Sequence, residues 1–214
     1  MHLKLHFLIY GGDVMFVAFE GIDASGKGTQ IKRLEEYLKS MGEKVWTTAE
    51  PTDGPIGSMI KEIQKGNLIS EPDEFTMLSL YVADRAEHQK EICNHISKNY
   101  WVLCDRYMYS SEAYQDFEDR YIQAWQFNED FFKPNITIVL DIPEDVAIER
   151  IQKRGKPVEI FEKKEFLAKV RSKYKNLYYN NNGIYLVDGT KTEEEVFEDI
   201  KGIIDAYIDL AEGV

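Results

Sequence analysis

Phe16-Val17-Ala18-Phe19-Glu20-Gly21-Ile22-Asp23-Ala24-Ser25-Gly26-Lys27-Gly28-Thr29-Gln30 decides the fold of this chain. Apolar Met15 to Phe19 run into a loop bounded by two glycines, a lysine follows, and an amphipathic segment begins. Gly21 and Gly26 let successive backbone N–H groups turn toward one anion. The helix behind them adds the positive end of its dipole, and Lys27 reaches a transferable phosphate. A Gly-x4-Gly-Lys string arises by chance in roughly one chain in twenty of this length, so its setting carries the assignment. Ile31, Leu34, Leu38 and Met41 recur at helical spacing and the run stops at Gly42. The residues Gly21, Ile22, Asp23, Ala24, Ser25, Gly26, Lys27, Gly28 and Thr29 are therefore read as a nucleotide-binding loop.

Outward from the loop, Lys44 to Thr48, Tyr100 to Cys104, Asn135 to Leu140 and Ile184 to Val187 read as strands, the last three closing on Asp105, Asp141 and Asp188-Gly189. Near-continuous apolar strands separated by helical segments predict an α/β fold, a five-stranded parallel sheet with helices on both faces. Ligands of such sheets bind at the carboxyl ends of the strands, which sets the loop, Glu50, Asp105-Arg106 and Asp188-Gly189 along one rim. The last helix opens with a capping box, Thr192 and Glu195, and is expected to bury Val196, Ile200, Ile203, Tyr207 and Leu210.

With 214 residues, 43% hydrophobic and 30% charged, the chain predicts one P-loop domain over 15–214. Residues 1–14 are either a leader before Met15 or an accessory edge strand, since Leu3, Leu5, Phe7 and Ile9 alternate before Gly11-Gly12-Asp13. His2, Lys4 and His6 interrupt that opening too often for a signal peptide or a membrane span, so a cytoplasmic protein without a membrane partner is expected. A net charge of −12 argues against nucleic acid as a partner. Cys93 and Cys104 are isolated, and no Cys/His spacing suits zinc.

Two further clusters carry chemistry. In Asp105-Arg106-Tyr107-Met108-Tyr109-Ser110-Ser111-Glu112-Ala113-Tyr114-Gln115, Arg106 is placed to grip an acceptor phosphate while Ser111, Tyr114 and Gln115 face the same ligand from the following helix. The competing reading is a salt-bridged strand end before an ordinary polar helix. Tyr81 and Arg85 are four residues apart on a helix, so a base could stack on the ring while the guanidinium donates to a carbonyl edge. An intrahelical Asp84–His88 pairing, or Glu87 pairing with solvent, is the alternative there.

In order and spacing, Phe19-Glu20-Gly21-Ile22-Asp23, Glu50-Pro51-Thr52, Asp84-Arg85-Ala86 and the Asp105 to Gln115 run resemble the thymidylate kinase family, from Met15 onward. The resemblance implies phosphoryl transfer from ATP to dTMP, Mg2+ bound with ATP, and a homodimer through helices flanking the sheet. It implies that Asp23 contacts the sugar 3′-hydroxyl, Tyr81 stacks on thymine, Arg85 bonds the O4 edge and Arg106 holds the acceptor phosphate. It also implies that Tyr114 stands where a ribose 2′-hydroxyl would clash and that Glu50 belongs to the acceptor turn. Lys27, Arg106, Asp23 and Arg154 form the expected catalytic set, and Asp105 either orders Mg2+ through water or fixes Arg106. A lid over about 150–163 supplies Arg154 as the transition-state cation, because Gly155-Lys156-Pro157 frees its side chain and Ala24 leaves the loop without an arginine. Four departures stand out. Gly28 replaces the usual hydroxyl, in a Gly-Lys-Gly-Thr-Gln run that resembles adenylate kinases, where the ion sits on phosphates and waters. Ala49 stands where many bacterial relatives carry Arg, Ser111 where several carry Asn, and the lid lacks an Asp-Arg-x-Glu string. The alternatives are a kinase for another nucleoside monophosphate or a deoxynucleoside, or a catalytically silent nucleotide-binding protein.

Overall fold

The computed structural model describes residues 15–69, 72–115, 124–153 and 163–212; the expectations for residues 1–14, for Arg154 and for most of the lid fall outside them. Five strands, β1 (Phe16–Glu20), β2 (Val45–Ala49), β3 (Trp101–Asp105), β4 (Ile136–Asp141) and β5 (Ile184–Asp188), form one sheet. Its order is β2-β3-β1-β4-β5, and each pairing is parallel. The helices are α1 (Lys27–Ser40), α2 (Pro55–Gln64), α3 (Glu74–Ile96), α4 (Met108–Tyr114), α5 (Ala124–Asn128), α6 (Glu144–Lys153), α7 (Lys164–Asn180) and α8 (Glu193–Glu212). Each strand lies within one residue of its sequence reading.

Strand β1 is buried along its length because it feeds two cores. Alternation sends Val17 and Phe19 to the layer of Leu34 and Leu38 from α1 and Ile200 and Ile204 from α8. Phe16 and Ala18 face Ile92 and Ile96 of α3 and Tyr107 beside α4. With Phe19 opposite both Asp105 and Ile138, the loop after β1 emerges between the ends of β3 and β4.

Two expected core positions are exposed. Helix α1 stops at Ser40, and Met41, whose N–H closes the last turn on the Leu38 and Tyr37 carbonyls, is 46% exposed. In α8, Val196, Ile200 and Ile204 form the buried stripe and Leu210 is 79% exposed. Six residues carry Leu210 about 120° around the helix from Ile204 and off the stripe. The capping box is present, with Glu195 N–H donating to Thr192 Oγ1 and Thr192 N–H to Glu195 Oε2. Among the described residues no helix is long and apolar enough to cross a membrane.

Candidate active site

Gly21 turns the chain out of β1 at φ +135°, and a Cβ there would lie 2.6 Å from the Leu140 carbonyl of β4, so the close approach requires glycine. Gly26, at φ +105°, caps α1 without a side-chain hydrogen bond, leaving the helix N-terminus open to an anion. The Lys27 side chain folds back along the loop. Its Nζ donates to the Gly21 and Ile22 carbonyls, each at 3.3 Å, and lies 3.9 Å from Asp105 Oδ1. Burial, then the Arg106 charge, push the Lys27 ammonium below the usual lysine range, against the pull of Asp105, Asp23 and Glu20.

A cavity of about 510 Å³ opens beside the loop. It is lined by Asp23 through Thr29, by Ala49 at the end of β2 with Glu50 and Pro51 after it, by Tyr81 and Arg85 of α3, and by Asp105, Arg106, Tyr114 and Gln115, among others. Lys61 and Gln64 of α2 line it too, and neither is marked by any motif in the sequence. Gln64 is nevertheless placed, its Nε2 donating to the Tyr81 hydroxyl at 2.8 Å.

Arg106 occupies a left-handed backbone conformation at φ +67°, costly for a residue with a side chain. Its N–H donates to the Phe19 carbonyl at 2.8 Å and its carbonyl accepts from the Cys104 thiol at 3.0 Å. The guanidinium thereby faces Asp23, donating from Nη2 to Oδ1 at 2.8 Å and to the Tyr114 hydroxyl at 3.1 Å, and lies 4.9 Å from the centre of the Tyr114 ring. Burial raises the Tyr114 phenol, and its hydroxyl donates to Asp23 Oδ2 at 3.2 Å. For Asp23, burial works upward, but the Arg106 and Lys27 charges and the hydrogen bonds from Arg106 and Tyr114 outweigh it, holding the carboxyl below its ordinary value.

Glu20, which the sequence reading gave no role, anchors this arrangement. It is wholly buried; Oε1 accepts from the Tyr107 and Ser110 N–H groups at 2.9 and 3.1 Å, Oε2 from the Ser110 and Tyr174 hydroxyls at 2.6 and 2.8 Å. The start of α4 is thus fastened to the end of β1.

The Glu50-Pro51-Thr52 turn is held from α3. Asp84 accepts from the Thr52 N–H at 2.8 Å and from its hydroxyl at 2.7 Å. His88 pairs with Glu50 Oε1 at 3.0 Å and with Thr48 Oγ1 at 2.7 Å, so the intrahelical Asp84–His88 pairing is replaced by contacts to the turn. Glu50 Oε2 accepts from Arg85 Nε at 2.9 Å. Ser111 does not line the cavity; its hydroxyl, 3.1 Å from Arg85 Nη2, serves the arginine instead.

On the other side of the loop lies a second cavity of about 300 Å³, lined by Ala24 to Gly26, Gln30, Arg150, Gly189 and Lys191 among others. Arg150 donates to the Ala24, Ser25 and Gly189 carbonyls at 3.2, 3.4 and 3.0 Å, bracing the loop against the end of β5.

Among the described residues no group of three or more His, Cys, Asp or Glu could hold a metal. Asp105 Oδ1 is buried without a hydrogen-bond partner beside the loop, which suits an ion carried mainly on nucleotide phosphates and met by one carboxylate.

Residues 19–200 match the family model for thymidylate kinase. A thymidylate kinase of Thermosipho africanus is 36% identical over 202 residues, 91% of this chain and 99% of that protein. Probable thymidylate kinases of Methanosphaera stadtmanae and Methanocaldococcus jannaschii are 37% and 38% identical, covering 92% and 90% of this chain and 100% and 96% of theirs. With a phosphate loop on the central strand of a five-stranded parallel sheet and a match along nearly its whole length, this chain belongs to the thymidylate kinase family.

Proposed function

We propose that this chain transfers the γ-phosphoryl group of ATP to dTMP, giving dTDP and ADP. The observation that carries the reading is one cavity holding both the loop lysine, Lys27, and the Arg106–Asp23 pair, with Tyr81 and Arg85 at the same cavity. An oxygen of the dTMP phosphate attacks the γ-phosphorus, and the bond to the bridging oxygen breaks with ADP as leaving group. Such a transfer asks for positioning and charge neutralisation more than for a strong base. Gly21 to Thr29 cradle the donor phosphates, and Lys27 follows the moving group. Arg106 aligns the acceptor phosphate while Asp23 meets the sugar 3′-hydroxyl. Tyr81 and Arg85 take the base, Tyr114 closes the space beside the sugar, and Gln115 with Glu50 completes the acceptor side. Asp105 would meet the Mg2+ carried on the ATP phosphates, an ion that would supply neutralisation of phosphate charge. The donor base extends toward the cavity of Arg150 and Gly189. The protein is further proposed to act in the cytoplasm as a homodimer, and light scattering at micromolar concentration returning a monomer mass would defeat the latter.

The deciding experiment measures ADP release with dTMP, dUMP, AMP, CMP, GMP and thymidine as acceptors. dTMP should lead, with dUMP lower by about 10–200-fold, the worth of one methyl in an apolar pocket. Turnover led by another acceptor, or none with any, would sink the assignment.

A further inference from the structure

The Arg85 side chain is only 1% exposed, lines the cavity, and is caged by acceptors from several elements. Nε donates to Glu50 Oε2 at 2.9 Å; Nη2 lies 2.7 Å from the same oxygen and shares its two N–H groups among it, the Tyr107 carbonyl and Ser111 Oγ, the last two each at 3.1 Å; and Nη1 donates to Asn128 Oδ1 at 2.6 Å. A guanidinium has five N–H groups in one plane. Four are committed, and the fifth is on Nη1, the nitrogen that Asn128 holds. Because the fork is rigid, the direction of that last N–H follows from how the other four are anchored. Asn128 is itself fully buried at the end of α5, and its Nδ2 donates to the Met108 carbonyl at 3.3 Å, which fixes the amide with its oxygen toward Arg85.

We propose that Asn128 is a positioning residue for nucleobase recognition: by holding Nη1 it aims the remaining Arg85 N–H at the 4-oxo edge of the pyrimidine and so sets the preference for a 4-oxo over a 4-amino base. The inference rests on Arg85 being the group that reads the base. A 4-amino base would set a donor against this N–H and leave it unpaired in a buried site, a larger penalty than a lost apolar contact.

The test compares dTMP with dCMP, and the KM of dTMP with that of ATP, in five proteins: wild type, Asn128→Leu, Asn128→Asp, Arg85→Ala, and Arg85→Ala combined with Asn128→Leu. Leucine removes the acceptor at similar size, whereas aspartate keeps an oxygen for Arg85, gives up the donor to Met108 and adds a negative charge that the guanidinium can balance. Asn128→Leu should raise the dTMP KM about tenfold, the worth of a buried charge-assisted hydrogen bond. It should leave the ATP KM unchanged and narrow the dTMP-to-dCMP ratio. Asn128→Asp should recover most of that ratio, and adding Asn128→Leu to Arg85→Ala should change nothing further. Equal impairment in the leucine and aspartate variants would mean that Asn128 acts through Met108 and α4, which overturns the proposal. A parallel rise in both KM values, or additive losses in the double variant, would overturn it too. If Arg85→Ala itself preserves the dTMP-to-dCMP ratio, the base-reading role of Arg85 fails and the proposal falls for that separate, visible reason. Should Asn128→Leu lose its circular dichroism spectrum, Asn128→Ala takes its place in the same comparison.

Discussion

Glu20 at the end of β1 and Asp23 on the loop after it stand three residues apart, yet their carboxyl groups are driven in opposite directions. Burial raises Glu20 above 4.5, despite the hydrogen bonds and the Arg106 charge that oppose it. Asp23 is held below 3.8 once its cationic neighbours have outweighed burial. The folded state therefore binds the Glu20 proton more tightly than the unfolded chain does. Its contribution to stability is fully present below 4.5 and is lost as pH rises through the window above that value. Asp23 contributes in the reverse sense, at pH above 3.8, and that share disappears on acidification. Glu20→Gln should fold, because the Ser110 and Tyr174 hydroxyls can turn to accept from the amide. Its Tm should fall less, or rise more, than the wild type's between about pH 4.5 and neutrality, and parallel calorimetric profiles would refute this. Residue-scale roles of this kind were only partly legible. Lys27, Arg106 and Tyr114 lie in motifs whose spacing speaks for itself, whereas the partners of Glu20 are 87 to 154 residues away and no local pattern marks them.

The turn after β2 is squeezed between two helices. A Cβ on Gly57 of α2 would lie 2.2 Å from the Thr52 carbonyl oxygen and 2.5 Å from its nitrogen, and Thr52 cannot retreat while Asp84 of α3 grips it twice. Gly57→Ala should therefore cost ~1–3 kcal/mol, about 2–12 °C in Tm for a chain of this size. Because the same turn carries Glu50, the KM for dTMP should rise more than that for ATP. An unchanged Tm would mean that the turn yields more readily than its contacts imply. Strands and the phosphate loop were legible at this scale because burial on both faces writes itself as continuous apolar runs. Helix α2 was not singled out: Lys61 and Gln64 enter the cavity only through the way α2 packs on α3, which no periodicity reports.

Across the whole molecule, the loop is shared by two cavities, one on each side of Ala24, Ser25 and Gly26. In the proposed transfer, donor and acceptor would approach a common point from opposite directions. Arg150 is committed to carbonyls of the loop and of Gly189 just after β5, which leaves the rest of the lid as the source of a transition-state cation, and Arg154, outside the described residues, is the proposed one. A guanidinium in that role contributes ~10³–10⁵ in rate. Arg154→Ala should lower kcat steeply with dTMP affinity nearly unchanged, while Arg150→Ala should chiefly raise the ATP KM. Near-normal kcat in Arg154→Ala together with collapse in Arg150→Ala would reverse the assignment.

The charge distribution has a kinetic consequence. A chain of net charge −12 sets four cations, Lys27, Lys61, Arg85 and Arg106, against three carboxylates, Asp23, Glu50 and Asp105, around one cavity, so an anionic nucleotide meets a repulsive far field before a weakly attractive near one. Added salt shortens the Debye length to ~10 Å at 0.1 M and weakens the far field first. Diffusional encounter with dTMP, read as kcat/KM at fixed ATP, should consequently quicken as ionic strength rises from a low value, then slow once the cavity cations are screened as well. A steady decline from the lowest salt would mean that those cations govern the approach even at long range.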